Sequence, residues 1–167
     1  AVSTDYVFDG ALSRPYRETD PVGPLSVYGQ SKRAGEEAIM ATAPQWMIVR
    51  SGWIYGPGGR NFIDSILGRA QKGETLRVVN DQFGSPTYTE DLAEAMTELL
   101  AAWKQSGFSD QTAGVYHVAN GSGCSRWELA VKAIELAGFS GVPVVPVTSE
   151  EVPRPAKRPR NSQLDTG

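Results

Sequence analysis

The chain has 167 residues, of which 40% are hydrophobic and 21% are charged, and its net charge is −3. This composition indicates a folded globular protein, and the mild acidity excludes general binding to nucleic acid. No apolar run reaches the roughly 20 residues that a membrane helix needs, so no membrane partner is expected. The single cysteine, Cys124, excludes an internal disulfide framework and fits a cytoplasmic location.

Strand and helix patterns alternate along the chain. An extended Val/Tyr/Phe run leads to the turn pair Asp9-Gly10, and Ser26 can cap a helix that Pro44 stops. The later predicted elements are, in order, a strand at 46–50, a helix at 62–70, a strand at 76–79, a helix capped by Thr89, a strand at 115–118, a helix that starts with a capping box of Ser125 and Glu128, and a strand at 142–147.

This alternation predicts an α/β fold with a mainly parallel sheet. We expect a partial Rossmann-type sheet plus a small C-terminal α/β substrate-binding domain. The sheet and the catalytic residues would occupy residues 1–56, and residues 57–167 would form mainly the substrate-binding region, with some segments returning to the sheet. The chain begins without Met, as if inside a strand, and contains no G-x-G-x-x-G turn. It is therefore expected to be part of a longer protein whose cofactor-binding half lies outside this sequence.

Tyr28 and Lys32 form a Y-x-x-x-K pair on the first predicted helix. A spacing of four residues places both side chains on one face, one turn apart. The Tyr28 hydroxyl could act as a general acid towards a carbonyl oxygen, because the ammonium of Lys32 would favour the phenolate that remains when the proton is given. The pair alone is a weak signal, because a half-buried tyrosine beside a solvated lysine fits the same spacing. The hydroxyls of Ser3 and Thr4 at the end of the first strand add weight, since ligands collect at the carboxyl ends of parallel strands.

Six motifs in order resemble the dTDP-4-dehydrorhamnose reductases, which are extended short-chain dehydrogenases, and the resemblance covers essentially the whole chain. They are Ser-Thr-Asp-Tyr-Val-Phe-Asp-Gly (3–10), Tyr-Gly-Gln-Ser-Lys (28–32), Arg-Ser-Gly-Trp-Ile-Tyr-Gly (50–56), Asn-Phe (61–62), Asn-Asp-Gln-Phe-Gly-Ser-Pro-Thr (80–87) and Arg-Pro-Arg-Asn-Ser-Gln-Leu-Asp (158–165).

The resemblance implies reduction of the 4-keto group of dTDP-4-dehydro-L-rhamnose to dTDP-L-rhamnose with NADPH or NADH. Thr4 would hydrogen-bond the keto oxygen, Tyr28 would protonate it, and Lys32 would support Tyr28 and hold the cofactor ribose. The substrate-binding residues would be Tyr6, Trp53, Asn61, Gln82 and Arg160.

Other candidates have structural explanations beside functional ones. Glu90 could approach Mg²⁺ in a homodimer, although an acidic residue in the first turn of a helix is also stabilised by the helix dipole. His117 is expected to be structural, and Cys124 has no partner that would make it reactive. The basic C-terminal tail is either a mobile terminus or, as the resemblance implies, a segment that folds back over the substrate.

Two further functions remain open. A nucleotide-sugar epimerase or dehydratase has a similar scaffold; the triplet Thr4-Asp5-Tyr6 disfavours a dehydratase but leaves epimerisation possible. The same fold also serves as the regulatory subunit of methionine adenosyltransferase, and the intact pair of Tyr28 and Lys32 weighs against that function.

Overall fold

The computed structural model describes residues 1–109, 112–139 and 141–167. The helices are α1 (Val27–Thr42), α2 (Phe62–Ala70), α3 (Thr89–Gln105) and α4 (Arg126–Leu136). The strands are β1 (Val2–Thr4), β2 (Met47–Ser51), β3 (Ile54–Tyr55), β4 (Leu76–Val79), β5 (Phe83–Gly84), β6 (Thr87–Tyr88), β7 (Gly114–His117), β8 (Cys124–Ser125) and β9 (Val144–Val147). None of the helices in these ranges is long and apolar enough to cross a membrane.

The main sheet is parallel, in the order β1-β2-β7, and this confirms the predicted α/β class. Helix α1 packs against β1. It begins where Ser26 accepts a hydrogen bond from the Gly29 amide and ends at Thr42, two residues before Pro44, as predicted. Strand β7, from the later part of the chain, pairs with β2 over four residues.

A second layer forms around the parallel pair of β4 and β9. Helix α4 begins with the predicted capping box, in which Ser125 and Glu128 bond each other's backbone amides. Helices α2 and α4 cover the two strands and enclose an apolar cluster. The buried members of this cluster are Ile66, Ala70, Leu76, Val78, Ala130 and Ile134.

The C-terminal segment 159–165 is packed into the molecule. Phe83 exchanges backbone hydrogen bonds with Arg160 and Ser162, each 2.8 Å long. Leu164 is buried in a second apolar cluster with Phe8 and Tyr16, whose rings stack at 4.2 Å. Residues 159–165 of the tail are therefore held in the fold and do not form a mobile terminus.

The first strand ends at Thr4, in agreement with the predicted place of Ser3 and Thr4 at a strand end. The extended run predicted beyond it, up to Asp9-Gly10, is interrupted, because the Thr4 hydroxyl accepts the Tyr6 amide at 3.2 Å and starts a 3₁₀ helix, Asp5–Val7. One predicted cap is wrong. Thr89 is the first residue of α3 and not its cap, since Tyr88 occupies the cap position without a side-chain hydrogen bond.

Candidate active site

A cavity of about 280 Å³ opens where β1 and β2 end. Its lining includes six residues that the sequence singled out, namely Ser3, Thr4, Tyr6, Tyr28, Lys32 and Trp53. The other lining residues that matter below are Asp5, Ser51, Gly52 and Arg126. The predicted catalytic triad and both predicted sugar-pocket aromatics therefore lie around one space, at the carboxyl end of parallel strands.

Helix α1 presents Tyr28 and Lys32 to this cavity. The ammonium of Lys32 donates to the Val2 carbonyl at 3.0 Å, which ties the helix to β1 and leaves two N–H donors of Lys32 available. Tyr28 is 53% exposed, and its ring contacts Tyr6 edge-to-face at 6.3 Å between centroids. Within the described ranges the Tyr28 hydroxyl makes no hydrogen bond, so it is free to bind a ligand.

The floor of the cavity is polar and buried. Thr4 is 5% exposed and Asp5 is 3% exposed. The Thr4 hydroxyl lies 3.0 Å from Oδ1 of Asp5, and the Ser162 hydroxyl donates to Oδ2 of Asp5 at 2.6 Å. Burial raises the pKa of Asp5 to about 6, against the opposing effect of these hydrogen bonds and of Arg126. Asp5 is therefore a carboxyl group that changes protonation near neutral pH.

Trp53 forms a wall of the cavity. The Arg126 guanidinium lies 3.6 Å from the centroid of the Trp53 ring, in a cation–π arrangement. Gly84 also lies against Trp53, since an added Cβ there would lie 2.2 Å from the ring. Trp53 is thus fixed in position by a cation and a glycine from distant parts of the chain.

Next to this site is a cavity of about 320 Å³ that is rich in arginine. Arg126 lines both cavities, so they adjoin at this residue. The other arginines here are Arg69, Arg77, Arg154 and Arg158. Arg69 and Arg77 form exposed ion pairs with glutamates, whereas Arg126, Arg154 and Arg158 have no ion pair within the described residues. An acidic chain that gathers unpaired arginines beside a polar cavity is suited to bind an anion.

A family model described as the RmlD substrate binding domain matches residues 1–167. The chain belongs to this family. The spore coat polysaccharide biosynthesis protein SpsK of Bacillus subtilis strain 168 is 44% identical over 163 residues, which are 98% of this chain and 54% of SpsK. The dTDP-4-dehydrorhamnose reductase of Streptomyces griseus is 44% identical over 165 residues, which cover 98% of this chain and 53% of that enzyme. The chain spans about half the length of the curated relatives it matches.

Solved structures agree with this assignment. A dTDP-4-dehydrorhamnose reductase from Clostridium acetobutylicum superposes with a TM-score of 0.90 at 39% identity, over 99% of this chain and 55% of that one. The reductase from Bacillus anthracis, solved in complex with NADP, also gives 0.90, at 36% identity over 99% of this chain and 56% of that one. The fold is therefore that of the Rossmann-like reductases, as expected. A dTDP-glucose 4,6-dehydratase from Streptomyces venezuelae gives 0.77 at 22% identity, which shows the shared fold alone.

Three predicted substrate-binding residues of this RmlD substrate-binding domain lie outside the first cavity. Gln82 lines the arginine-rich cavity and donates to Ser149 at 2.8 Å. Asn61 caps α2, where its side-chain oxygen accepts the Asp64 amide. Its side-chain nitrogen donates to the Gly56 carbonyl and to the Asp64 carboxylate. Asn61 lines neither of the two cavities. Arg160 lines a separate cavity beside residues 10–13. In the motif Arg-Pro-Arg (158–160), Arg158 rather than Arg160 lines the arginine-rich cavity.

The magnesium hypothesis for Glu90 receives no support. In residues 1–109, 112–139 and 141–167, no three His, Cys, Asp or Glu side chains come close enough to hold a metal ion. Glu90 is an exposed residue in the first turn of α3, where the helix dipole favours it.

Arg126 and Asp5 were missed by the sequence analysis. Arg126 had a detectable signal: it opens α4, where the positive end of the helix dipole opposes a cation, so another interaction must favour arginine there. Asp5 had no such signal in the sequence, because its buried environment depends on Ser162, which is distant in sequence.

Proposed function

We propose that this chain supplies the catalytic and substrate-binding residues of an NAD(P)H-dependent dTDP-4-dehydrorhamnose reductase, acting in dTDP-rhamnose biosynthesis. The observation that carries the proposal is the pair of cavities that share Arg126. One cavity holds a tyrosine, a lysine and a threonine hydroxyl around a space for a sugar, and the other offers arginines to a diphosphate.

The sugar nucleotide would span both cavities. Burial removes water from the Arg126 guanidinium and lowers its pKa. The diphosphate would take the place of that water, and Arg158 would add a second cation. The 6-deoxysugar would lie against Trp53 and Tyr6, with its keto oxygen towards Tyr28. This arrangement places the substrate's negative charge and its reacting carbon at opposite ends of one continuous site.

The residues would divide the work of reduction as follows. Tyr28 would give its hydroxyl proton to the keto oxygen, and Thr4 would donate a hydrogen bond to the same oxygen as negative charge develops there. Lys32 would stabilise the phenolate that Tyr28 becomes.

The exposed hydroxyl of Tyr28 and the two available donors of Lys32 fit a nicotinamide ribose. NADPH or NADH, when bound, supplies a hydride to the keto carbon. The cofactor pyrophosphate needs backbone amides of a Gly-rich turn, which these 167 residues lack. We therefore propose that this chain works together with a dinucleotide-binding half.

The test is run on the protein in which this chain is joined to such a half. Tyr28→Phe should lower kcat by about 10²–10⁴-fold without loss of folding, since it removes only the proton donor. The matched control is Tyr116→Phe, whose hydroxyl bonds the Thr112 carbonyl away from the cavity. Full turnover in Tyr28→Phe contradicts the proposal. Conversion of the sugar without net oxidation of NADPH would indicate the epimerase instead.

A further inference from the structure

The hydrogen bonds around Asp5 limit what the Thr4 hydroxyl can do. A hydroxyl has one hydrogen to donate and two lone pairs that accept. One lone pair of Thr4 already accepts the Tyr6 amide at 3.2 Å, and Oδ1 of Asp5 is 3.0 Å away. If Asp5 is ionised, it can only accept, so it takes the single Thr4 hydrogen. Thr4 then presents no donor to the cavity.

Protonation of Asp5 reverses this hydrogen bond. A proton on Oδ1 is donated to the second lone pair of Thr4, and the Thr4 hydrogen is released towards the cavity. The proton belongs on Oδ1 because Ser162 already donates to Oδ2 at 2.6 Å, and its other acceptor, the Phe83 carbonyl, is a poor 3.4 Å away. The four groups then have a complete and consistent set of hydrogen bonds.

The surroundings keep Asp5 in this role. A Cβ added at Gly52 would lie 2.5 Å from Cγ of Asp5, so the backbone directly after β2 packs against the carboxyl. Arg126 on α4 and Tyr6 on the 3₁₀ helix act on Asp5 electrostatically, and Tyr28 and Lys32 of α1 line the same cavity. Residues Ser51 and Gly52 of the β2 end and Ser162 of the tail bring no charge.

We infer that Asp5 is a positioning residue for Thr4: its protonated carboxyl, held by Ser162, turns the Thr4 hydroxyl hydrogen towards the substrate keto oxygen. This inference rests on the proposed function, because it needs Thr4 to bind that oxygen. It also gives the C-terminal segment a part in catalysis, since Ser162 lies in it.

Asp5→Asn separates this role from a structural one. The asparagine amide nitrogen can donate permanently to Thr4 while its oxygen accepts from Ser162, so it imitates the protonated carboxyl at every pH. In the protein with its dinucleotide-binding half, wild-type kcat should fall about tenfold per pH unit above the pKa of Asp5. Asp5→Asn should retain activity and lose this fall. Ser162→Ala removes a hydrogen bond that favours the Asp5 carboxylate, so the kcat of this variant should begin to fall at a higher pH than that of the wild type.

Asp9→Asn is the matched control, because Asp9 is exposed and, among the described residues, its carboxylate bonds Tyr16 and the Ala11 amide. Its pH profile should match the wild type. The inference is overturned if Asp5→Asn keeps the wild-type fall, or if it is as inactive as Thr4→Ala at every pH while still folded and binding dTDP. Tyr28→Phe is measured alongside: undiminished turnover there defeats the proposed function, whereas its loss together with an unchanged profile in Asp5→Asn defeats only this inference.

Discussion

Trp53 has a backbone φ of +47°, a conformation that a bulky side chain seldom adopts. Such strain persists only where the surroundings enforce it, and here Gly84 and Arg126 enclose the ring. The indole lines the first cavity and stacks on Arg126, which lines both cavities. Gly84 is therefore needed for the space it leaves, since a methyl group there would occupy the position of the indole.

Gly84→Ala should displace Trp53 and loosen its stacking with Arg126. We expect the Kd of the chain for dTDP to rise by about tenfold, which corresponds to roughly 1.4 kcal/mol of a cation–π contact and its neighbours. Calorimetric titration measures this. Gly59→Ala is the control, because an added Cβ there meets nothing within 4 Å. Equal affinities of the two variants would show that Trp53 does not shape the nucleotide site.

The buried carboxyl of Asp5 should also appear in the pH dependence of stability. Its pKa is about 6 in the folded chain and close to 3.8 when unfolded, so the folded state holds its proton more tightly. The contribution of Asp5 to the free energy of unfolding is fully present below pH 3.8 and is lost as the pH rises through 6. The loss is about 3 kcal/mol for a shift of roughly two pKa units.

Denaturant unfolding of wild type and Asp5→Asn at several pH values isolates this contribution from other groups. The difference in unfolding free energy between the two proteins should change between pH 4 and pH 6.5 and stay constant above that. A difference that does not vary with pH means that Asp5 titrates normally in the folded chain.

At the scale of elements, the rotation of α1 is set by a buried ion pair. Glu36 lies on the same helix face as Tyr28 and Lys32, a further turn along. It accepts two hydrogen bonds from Arg50 of β2, at 2.8 and 2.7 Å, and both side chains are 2% exposed. Burial alone would raise the pKa of Glu36, but the hydrogen bonds and positive charge of Arg50, together with the other hydrogen bonds to Glu36, outweigh it and the net shift is downward.

Glu36→Gln should cost about 3–5 kcal/mol of unfolding free energy, because it leaves the charge of Arg50 buried without a counter-charge. The neighbouring Glu37→Gln is a close control: Glu37 pairs with Arg33 at the surface, and such a pair contributes only about 0.3–0.5 kcal/mol. Urea unfolding of both variants compares the costs. Similar losses in the two would contradict a special role for the buried pair.

Elements whose signals are local were predictable from the sequence. Helices α1 and α4 begin at Ser26 and Ser125, whose hydroxyls bond amides within the next turn, so a few residues determine them. Strands of two residues such as β5 and β8 were not predicted, because they exist only through pairing between distant segments. The same division applies to the site: Tyr28 and Lys32 stand out by spacing, whereas the contact of Asp5 with Ser162 spans nearly the whole chain.

At the scale of the molecule, the first cavity is assembled from the beginning, middle and later parts of the chain. Thr4 and Tyr28 come from the first βα unit, Trp53 follows β2, and Arg126 comes from α4. The tail then secures the floor through Ser162. The residues that we propose for the nucleotide-sugar site thus come from all parts of the chain, whereas the cofactor would contact only Tyr28 and Lys32 here.

The 167-residue chain by itself should therefore bind dTDP but hold NADPH and NADH only weakly. Each charge-assisted hydrogen bond to the missing pyrophosphate site contributes about 1.5–3 kcal/mol, so the loss of several weakens cofactor binding by several orders of magnitude. Isothermal titration of the chain with dTDP, NADPH and NADH tests this, with the NADP-binding Bacillus anthracis reductase as the positive control. Because NADPH also carries phosphates, any heat it gives is repeated in saturating dTDP. Binding that dTDP abolishes lies in the arginine-rich cavity and agrees with the prediction, whereas micromolar NADPH binding that survives dTDP would mean that a phosphate-binding turn exists within this chain.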